Sequence, residues 1–256
     1  HTRLQGDWSS DVCSSDLRAL VGALELYLVE PKISLDLPKT AIDFIPLTVP
    51  QFQHLTWQEG IKTVLLGGSA APVASCPEGT EVYVGYGMTE TASHVAIRRL
   101  NEEVYRAVGS TRFSLSADGA LVVRSPHLGI KELVTNDAAL LHNDSEFSIE
   151  GRLDFAINSG GIKIHPEQWE QVLAVEGIRA AIAPLDDEVF GQIPVLILSN
   201  QEQVAQARTL LNTWPKNQRP KQYLLLAQWP EVAGGKLDRR GISLWVKSHQ
   251  DRLCLL

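Results

Sequence analysis

The chain has 256 residues, a formal net charge of -7 and a hydrophobic fraction of 44%. This length accommodates one large domain or two modest ones, and the apolar content is ordinary for a protein with a packed core. The acidic balance argues against a general nucleic-acid binder, whose surface would be basic. No apolar run approaches the roughly 18 residues that a membrane-spanning helix needs, so we expect no membrane span.

The cysteines and the first residues indicate the compartment and the limits of the fold. Cys13, Cys76 and Cys254 lie far apart without a CxxC spacing, which favours a reducing, cytoplasmic location and predicts no zinc site.

Residues 1–17 are polar and rich in Ser and Asp. We expect a non-native head there, with a natural disordered tail as the alternative, and exclude it from the fold. Met88 is the sole methionine, so we expect a fragment that lacks its N-terminal part.

In the first half of the chain, the pattern predicts an α/β arrangement. An alternating strand is expected at residues 25–30, a loop at 31–50 and a helix at 51–58. The apolar runs at 61–66 and 81–84 are typical of buried parallel strands, and each is followed by glycines. Such strand ends are where α/β proteins present their ligands.

The second half predicts a compact α+β region. Short strands at 113–115 and 121–123 flank a hairpin turn. The helix predicted at 166–175 has Trp169, Val172 and Leu173 on one face. The remaining predicted elements are a strand at 195–198, an amphipathic helix at 201–214, a strand at 223–226 and a final helix at 241–249.

The segment YGMTET at residues 86–91 combines glycines, an aromatic ring, hydroxyls and a carboxylate. A glycine beside Tyr86 allows the ring to lie flat against a base. Thr89 offers a hydroxyl to a phosphate oxygen. Glu90 offers a carboxylate to Mg²⁺, which needs few protein ligands when phosphates supply the rest. From the residues alone, a strand-to-helix turn with Thr89 as N-cap is an open alternative.

Two further segments carry weaker signals. Gly67 and Gly68 follow a buried strand and precede Ser69; such glycines allow a ligand to approach or simply form a tight turn. Asp137, in the sequence TND, has a carboxylate that can accept two hydrogen bonds, or it caps a turn. We expect that sequence to form a turn, in which Asn136 tolerates a positive φ.

Charged residues in two later segments suit phosphate chemistry. In GRLD at residues 151–154, Arg152 is a planar donor for ribose or phosphate oxygens, or else a partner in a surface salt bridge. In GGKLDR at residues 234–239, Lys236 can bring a positive charge to a developing negative one, or else is an exposed loop lysine. We expect Arg239 to be a surface or helix-start residue.

In this order, the segments resemble the adenylate-forming acyl-CoA ligases, which join a carboxylic acid to coenzyme A at the expense of ATP. The resemblance implies an incomplete α/β domain at residues 18–153, with a parallel sheet and a small β-barrel-like subdomain. A mobile α+β domain would follow at 154–256. The sequences YGMTETASHVAIRRLN, TND and INSGGIKIHPE are most similar to the o-succinylbenzoate–CoA ligases of menaquinone synthesis, whose substrate is an aromatic keto-diacid.

The resemblance also implies roles for the matched residues. The nucleotide-binding residues would be Gly67, Gly68, Ser69, Tyr86, Gly87, Thr89, Asp137 and Arg152. The catalytic residues would be Lys236, Thr89 and Glu90, with Glu90 also holding Mg²⁺. The hinge between domains would be Asp154, the coenzyme A tunnel would be lined by Gly160 and Gly161, and the second carboxylate of the acid would meet Ser93 and His94.

The chain also departs from the family pattern. Asn136 stands where these ligases usually have glycine, and nothing at residues 18–60 resembles their Ser/Thr/Gly-rich phosphate loop ending in Pro-Lys. We therefore expect ATP, Mg²⁺, coenzyme A and a small carboxylic acid as ligands of the intact enzyme, and an inactive chain on its own. Two alternatives remain open: an adenylating ligase for another acid or for a carrier protein, and a non-catalytic module that binds AMP or an acyl-adenylate.

Overall fold

The computed structural model describes residues 22–30, 32–68, 74–232 and 236–256, with the backbone alone at Lys236. The described residues divide into two compact units. Unit 1 comprises those up to Thr135 together with Leu140–Ile149, and unit 2 comprises Asn136–Ala139 and Glu150–Leu256. The predicted domain boundary at residues 153 and 154 stays a prediction.

Most of unit 1 is one mixed sheet. Among the described residues, nine strands follow the spatial order β1-β2-β3-β4-β5-β9-β8-β7-β6. Their bounds are β1 Ile42–Thr48, β2 Ile61–Gly67, β3 Glu81–Gly87, β4 His94–Arg99, β5 Val104–Ala107, β6 Arg112–Leu115, β7 Ala120–Ser125, β8 Ile130–Asn143 and β9 Glu146–Arg152. Strands β1, β2 and β3 are parallel, as the apolar runs predicted, and β6 and β7 form the predicted antiparallel hairpin.

The parallel strands carry the core of unit 1. Val64 and Leu66 of β2 are fully buried and pack with Phe52 of the short helix α1, Val49–Gln53. Thr48 and Gln51 close a capping box at its start, which satisfies backbone donors that a helix end leaves open. The helix predicted at residues 51–58 is therefore displaced and shorter.

The strand predicted at residues 25–30 is wrong. The structure shows irregular, exposed chain there, with Leu28 80% exposed. Alternation describes which side chains would share a face, but a strand forms only where another strand completes its hydrogen bonds. The loop predicted at 31–50 is also wrong in its later part, because β1 pairs there with β2.

Unit 2 contains a second sheet covered by helices. Its strands are β10 Ile157–Ser159, β11 Ile162–Ile164, β12 Ala180–Asp187, β13 Gly191–Leu198, β14 Gln222–Leu225 and β17 Cys254–Leu255, and the short pair β15 Glu231–Val232 and β16 Lys236–Leu237 stands apart from them. Its helices are α2 Pro166–Val175, α3 Gln203–Leu211 and α4 Arg239–Ser248. The predicted helices and strands all occur, in the predicted order, but strands β10, β11, β12, β15, β16 and β17 were not predicted.

Both faces of β13 are buried, which explains its continuous apolar run. Leu196 and Leu198 pack with Leu173 of α2 and Leu211 of α3. The alternate residues, such as Val195, lie in a separate cluster with α4. A strand covered on both faces needs no polar alternation. The face predicted for α2 is right for Trp169 and Leu173 but wrong for Val172, which is 43% exposed.

The following findings on cysteines, metal-binding groups and membrane spans apply to the described residues only. Cys76 and Cys254 are exposed free thiols. No group of three or more His, Cys, Asp or Glu side chains within the described ranges is arranged to hold a metal ion. Over the same part of the chain, every helix is too short or too polar to cross a membrane.

Candidate functional site

The turn after β3 is organised by one buried hydroxyl. Thr91 is 1% exposed. Its Oγ1 accepts a hydrogen bond from the Met88 N–H at 2.9 Å and lies 2.9 Å from the Met88 carbonyl and 2.7 Å from that of Ser93. These contacts fix a 3-10 turn over Thr89–Thr91 and leave Thr89 and Glu90 exposed.

The N-cap role considered for Thr89 is wrong. Met88 occupies the N-cap position of the 3-10 turn, and no side chain caps it. The hydroxyl of Thr89 and the carboxylate of Glu90 therefore face solvent from a turn that another residue stabilises. Thr91 was not among the predicted site residues. The sequence signal for it was a second threonine in the segment, two residues after the first.

The glycines of this segment allow β3 and β4 to approach closely. A Cβ on Gly85 would lie 1.8 Å from Cδ2 of His94, and one on Gly87 would lie 2.5 Å from the Ser93 carbonyl oxygen. The strand pairing shifts register between Tyr86 and Gly87. Packing against β4 therefore requires glycine at both positions, independently of any ligand.

Tyr86 belongs to an aromatic cluster. Its ring centroid lies 5.2 Å from that of Phe147 and 5.8 Å from that of Tyr105, both in edge-on geometry. Phe147 is fully buried and stacks on Tyr105 at 5.4 Å. Edge-on contacts such as these fix the orientation of a ring, and an oriented ring is what stacking on a base requires.

The glycine loop after β2 is described only in part. Gly67 ends β2 and pairs with Thr48 of β1. Gly68 is exposed and has a φ of +89°, a conformation that favours glycine. Ser69 lies outside the described residues, so its predicted role stays a prediction.

In unit 2, Arg152 lies between two carboxylates. Its Nε and Nη2 donate to the two carboxylate oxygens of Asp154 at 2.9 and 3.0 Å, and its Nη1 lies 3.8 Å from Oδ1 of Asp137. Asp137 is in β8 rather than in a turn, and Asn136 has no positive φ. The predicted turn at residues 135–137 is therefore wrong, because β8 continues through it.

The Arg152–Asp154 pair shifts the ionisation of both groups. The hydrogen bond from Arg152 lowers the pKa of the Asp154 carboxyl, and the same bond raises the pKa of Arg152. The side chains are 44% and 37% exposed. Solvent screens a pair this exposed, so it can exchange partners at small cost.

Gly160 and Gly161 form the tip of a tight hairpin between β10 and β11. Ser159 pairs with Ile162, so the loop consists of these two glycines, with φ of +57° and +82°. Two consecutive positive φ values are typical of a type I′ turn, for which glycine is well suited. The backbone N–H of Gly160 also donates to the carbonyl of Phe190 at 2.8 Å.

Lys236 lies in β16, where its backbone pairs with Val232 of β15. Three residues later, Arg239 begins α4 and is only 18% exposed. It donates two hydrogen bonds to Glu170 of α2, one of them at 3.0 Å. The expectation of a surface or helix-start residue at Arg239 is confirmed by the helix start, although the side chain is mostly buried.

Glu167, one turn before Glu170 on α2, approaches both charged segments of unit 2. Its Oε1 accepts from the Arg152 backbone N–H at 3.4 Å and lies 3.9 Å from Nε of Arg239. Burial raises the pKa of Glu167 in spite of Arg239. Burial alone would lower the pKa of Arg239, but the hydrogen bonds and charge of Glu170, with the charge of Glu167, raise it. The i, i+3 spacing of the two glutamates was the available sequence signal.

The structure thus brings the predicted residues together in two groups. The first group lies on one strand and turn of unit 1 and consists of Tyr86, Gly87, Thr89 and Glu90. His94, on the next strand, is 7% exposed and its ring lies against Gly85. Asp137, Arg152 and Asp154 are in contact within unit 2. That these groups together form one nucleotide site stays a prediction.

Comparison with known proteins supports the family resemblance. No family model matches the chain. It is 29% identical over 215 residues to the 2-succinylbenzoate–CoA ligase of Escherichia coli (strain K12), covering 74% of this chain and 47% of that protein. It is 27% identical over 224 residues to the enzyme of the same name from Bacillus mycoides (strain KBAB4), covering 72% and 47%.

Solved structures show the same fold. The o-succinylbenzoate CoA synthetase of Bacillus subtilis in complex with the acyl-adenylate intermediate OSB-AMP matches with a TM-score of 0.66 and 21% identity, over 78% of this chain and 51% of that one. The same enzyme with ATP and magnesium ion matches with a TM-score of 0.64 and 20% identity, over 90% and 54%.

The chain is therefore similar in sequence and fold to the AMP-forming acyl-CoA ligases, and among them to the o-succinylbenzoate–CoA ligases. This confirms the resemblance and the fold class predicted from the motifs. The chain spans about half the length of the curated relatives it matches.

Proposed function

We propose that this chain supplies the AMP-binding and lysine-bearing part of an ATP-dependent carboxylic acid–CoA ligase that works through an acyl-adenylate. The observation that carries the proposal is the turn at Thr89–Thr91. In it, the buried Thr91 holds the exposed Thr89 and Glu90, three and four residues after Tyr86. The sequence similarity to ligases of this type supports it.

The exposed groups of unit 1 fit a nucleotide and its metal ion. The ring of Tyr86 would stack on adenine, and the hydroxyl of Thr89 would donate to an α-phosphate oxygen. Glu90 would provide a carboxylate ligand to Mg²⁺, which takes few protein ligands when phosphates and water supply the others. The Mg²⁺ ion, when bound, neutralises phosphate charge.

In unit 2, Asp137 and Arg152 would bind the ribose. A carboxylate and a guanidinium 3.8 Å apart offer an acceptor and donors to the two ribose hydroxyls. Asp154 already occupies two donors of Arg152. Ribose binding would therefore use the remaining donors or break that pair, which screening by solvent makes inexpensive.

The reaction would then have two steps. A carboxylate oxygen of the acid attacks the α-phosphorus, the bond to pyrophosphate breaks, and Lys236 offsets the negative charge. The C-terminal part of the chain, residues 154–256, would next turn about Asp154, and the Gly160–Gly161 hairpin would leave room for the pantetheine arm. The coenzyme A sulfur attacks the acyl carbon as its thiol proton is lost, and AMP departs.

An aromatic keto-diacid such as o-succinylbenzoate is the proposed acid, with Ser93 and His94 near its second carboxylate. The ring of His94 is buried against Gly85 of β3. Ser93 is partly exposed and is therefore better placed than His94 to contact the carboxylate directly.

The test uses the chain of 256 residues with o-succinylbenzoyl-AMP. Calorimetry should detect binding of AMP and of the acyl-adenylate. The overall reaction from ATP and the acid should be absent, in line with the expectation that the chain alone does not complete it. Addition of coenzyme A to the bound acyl-adenylate tests the second step alone and should release AMP and o-succinylbenzoyl-CoA. Thr89→Val and Arg152→Ala should each weaken AMP binding about tenfold or more, as expected for loss of a charged or charge-assisted hydrogen bond. Asp118→Asn, in the exposed turn between β6 and β7, is the control and should bind normally.

Each outcome is decisive for one part of the proposal. Binding without thioester formation would leave a nucleotide-binding module and refute the second reaction step for this chain. Turnover with another acyl-adenylate, but not with this one, would refute the aromatic keto-diacid. Failure to bind AMP, with the fold intact by circular dichroism, would overturn the proposal as a whole.

A further inference from the structure

Arg239 forms an ion pair with Glu170 through two hydrogen bonds. Among the ion pairs that the structure describes in unit 2, this one is the least exposed. The two terminal nitrogens of Arg239 donate to the two oxygens of Glu170, and the side chains are 18% and 13% exposed. A guanidinium bound at two points is fixed in direction as well as in distance. A lysine at this position would hold the charge but not the direction.

Glu170 is itself anchored to the sheet. The same Oε1 that receives Arg239 accepts the backbone N–H of Ile182, in β12, at 2.8 Å. The carboxylate therefore joins three elements: helix α2, on which it lies, strand β12 and the start of helix α4. Removing its charge would leave Arg239 buried with Glu167, at 3.9 Å, as its nearest described anion.

Arg239 also contacts the turn that carries Asp154. The guanidinium carbon lies over the ring of Phe155, 5.3 Å from its centroid. Phe155 ends the 3-10 turn Leu153–Phe155, directly after Asp154. Arg152 lies over the same ring at 5.6 Å. Such cation–π contacts are stronger when the cation is shielded from water, as Arg239 is.

In the sequence, Arg239 closely follows the segment that carries Lys236. Asp238 donates its N–H to the Pro230 carbonyl at 2.9 Å and accepts the Gly241 N–H through its side chain. Only Leu237 and Asp238 separate Lys236 from Arg239. Asp238, the N-cap residue of α4, and Arg239 thus determine how the segment that carries Lys236 joins the helix.

We infer that Arg239 is a positioning residue: through Glu170 and Phe155 it fixes the Lys236 segment and the Asp154 turn to one support, helix α2. The lysine segment and the turn then behave as a single rigid piece rather than as two independent loops. The catalytic meaning of this coupling rests on the function proposed above, in which Lys236 acts on the α-phosphate and Asp154 is the hinge.

Hydrogen–deuterium exchange of the ligand-free chain tests the coupling. In Glu170→Gln, amides of residues 237–241 and of 153–157 should both exchange about tenfold faster, since local opening of both segments loses the same contact. Amides of β13, in the core of unit 2, should keep their rates. Arg239→Lys should show the same joint change to a smaller extent.

The matched control is Glu231→Gln. Glu231 pairs with Arg179 at 2.8 Å, on the hairpin that also carries Lys236, but its side chain is 45% exposed. Exposed pairs contribute little, so this variant should leave both segments within about twofold of the parent. If Glu170→Gln does not fold, Phe155→Leu replaces it and should also accelerate both segments.

Three results would overturn the inference. They are acceleration of one segment alone, equal acceleration throughout the core of unit 2, and the same acceleration in Glu231→Gln. Because the measurement uses no nucleotide, it is independent of the ligase assay. Joint acceleration in a chain that does not bind acyl-adenylate would uphold the coupling and refute the proposed function instead.

Discussion

The two motif-bearing regions of this chain are stabilised by different means. In unit 1, the turn that presents Thr89 and Glu90 is fixed by the neutral, buried hydroxyl of Thr91 and by glycines that admit a neighbouring strand. In unit 2, the two motif arginines are in ion pairs: Arg152 with Asp154 in an exposed pair, and Arg239 with Glu170 in a mostly buried one. Unit 1 therefore offers its polar groups to a ligand directly, whereas Arg152 must share or exchange a partner that it already has.

This difference predicts opposite sensitivities. Variants of the unit 1 turn should act through packing and unsatisfied backbone groups, and they should be nearly independent of pH and salt. Variants of the charged contacts in unit 2 should be smaller in effect where the pairs are exposed, and they should depend on pH.

The largest effect is expected for Gly85→Ala. The new Cβ would lie 1.8 Å from the His94 ring, so either the ring or the strand must move. Overpacking of this kind costs about 1–3 kcal/mol, and occasionally more. The measurement is the free energy of unfolding in urea.

The control for this prediction is the double variant Gly85→Ala/His94→Ala. Removing the ring should recover part of the loss caused by the methyl group, so the two substitutions should be non-additive. Simple additivity would show that the Gly85–His94 contact is not what requires glycine in β3.

Thr91→Val should have the next largest effect. Valine keeps the shape but leaves the Met88 N–H without the oxygen that now accepts it at 2.9 Å. An unsatisfied buried donor costs about 1–3 kcal/mol. Urea unfolding measures the loss, and it should be the same at low and high salt.

Thr89→Val is the matched control, because Thr89 is exposed in the same turn. Exposed substitutions of this kind usually stay within about 0.5 kcal/mol. An equal loss in the two variants would contradict the assignment of Thr91 as the residue that fixes the turn.

The sequence predicted elements well where a local pattern determines them. Helix α2 has the predicted bounds, Pro166–Val175, because proline and amphipathic spacing are both local signals. The buried runs in β2 and β13 were recognisable because a strand covered on both faces lacks polar alternation. Residues 25–30 show the limit, since their alternation is strand-like but no ladder involves them within the described chain.

The sequence motifs predicted residues of a candidate site, but not the contacts that support those residues. The motifs named Tyr86, Glu90, Arg152 and Lys236. Arg239 was expected to be a surface or helix-start residue, and its ion pair with Glu170 was not predicted. Its partner Glu170 lies 69 residues away in the chain. A contact of that separation leaves no periodic trace, and it becomes visible only when the fold places the start of α4 against α2.

Glu167→Gln should make the protein less sensitive to pH. Burial raises the pKa of Glu167, although Arg239 opposes the shift. A folded pKa above the unfolded value means that the folded state holds the proton more tightly, so stability falls as pH rises from the unfolded pKa through the folded one. The variant should therefore gain on the parent toward neutral pH and lose that advantage in acid.

Urea unfolding across the range from about pH 4 to 8, which brackets an ordinary glutamate pKa of about 4.3 and a raised one, measures this difference. Arg239, Glu170 and the Arg152 N–H all face Glu167 and are unchanged in the variant. Glu176→Gln, at the exposed end of the same helix, is the control. A pH profile of Glu167→Gln parallel to that of the parent would contradict the prediction.

Asp154→Asn should have the smallest effect and the opposite pH dependence. The hydrogen bond from Arg152 lowers the pKa of Asp154, so its contribution is complete above the unfolded pKa and is lost as pH falls through the folded one. Because both partners are more than a third exposed, the loss at neutral pH should stay below about 1 kcal/mol and shrink with added salt. Asp144→Asn, which removes the looser 3.4 Å pair with Arg112 in unit 1, should lose still less. If Asp154→Asn costs as much as Thr91→Val, the charged contact is a structural support, and Arg152 is not available to exchange Asp154 for a ribose.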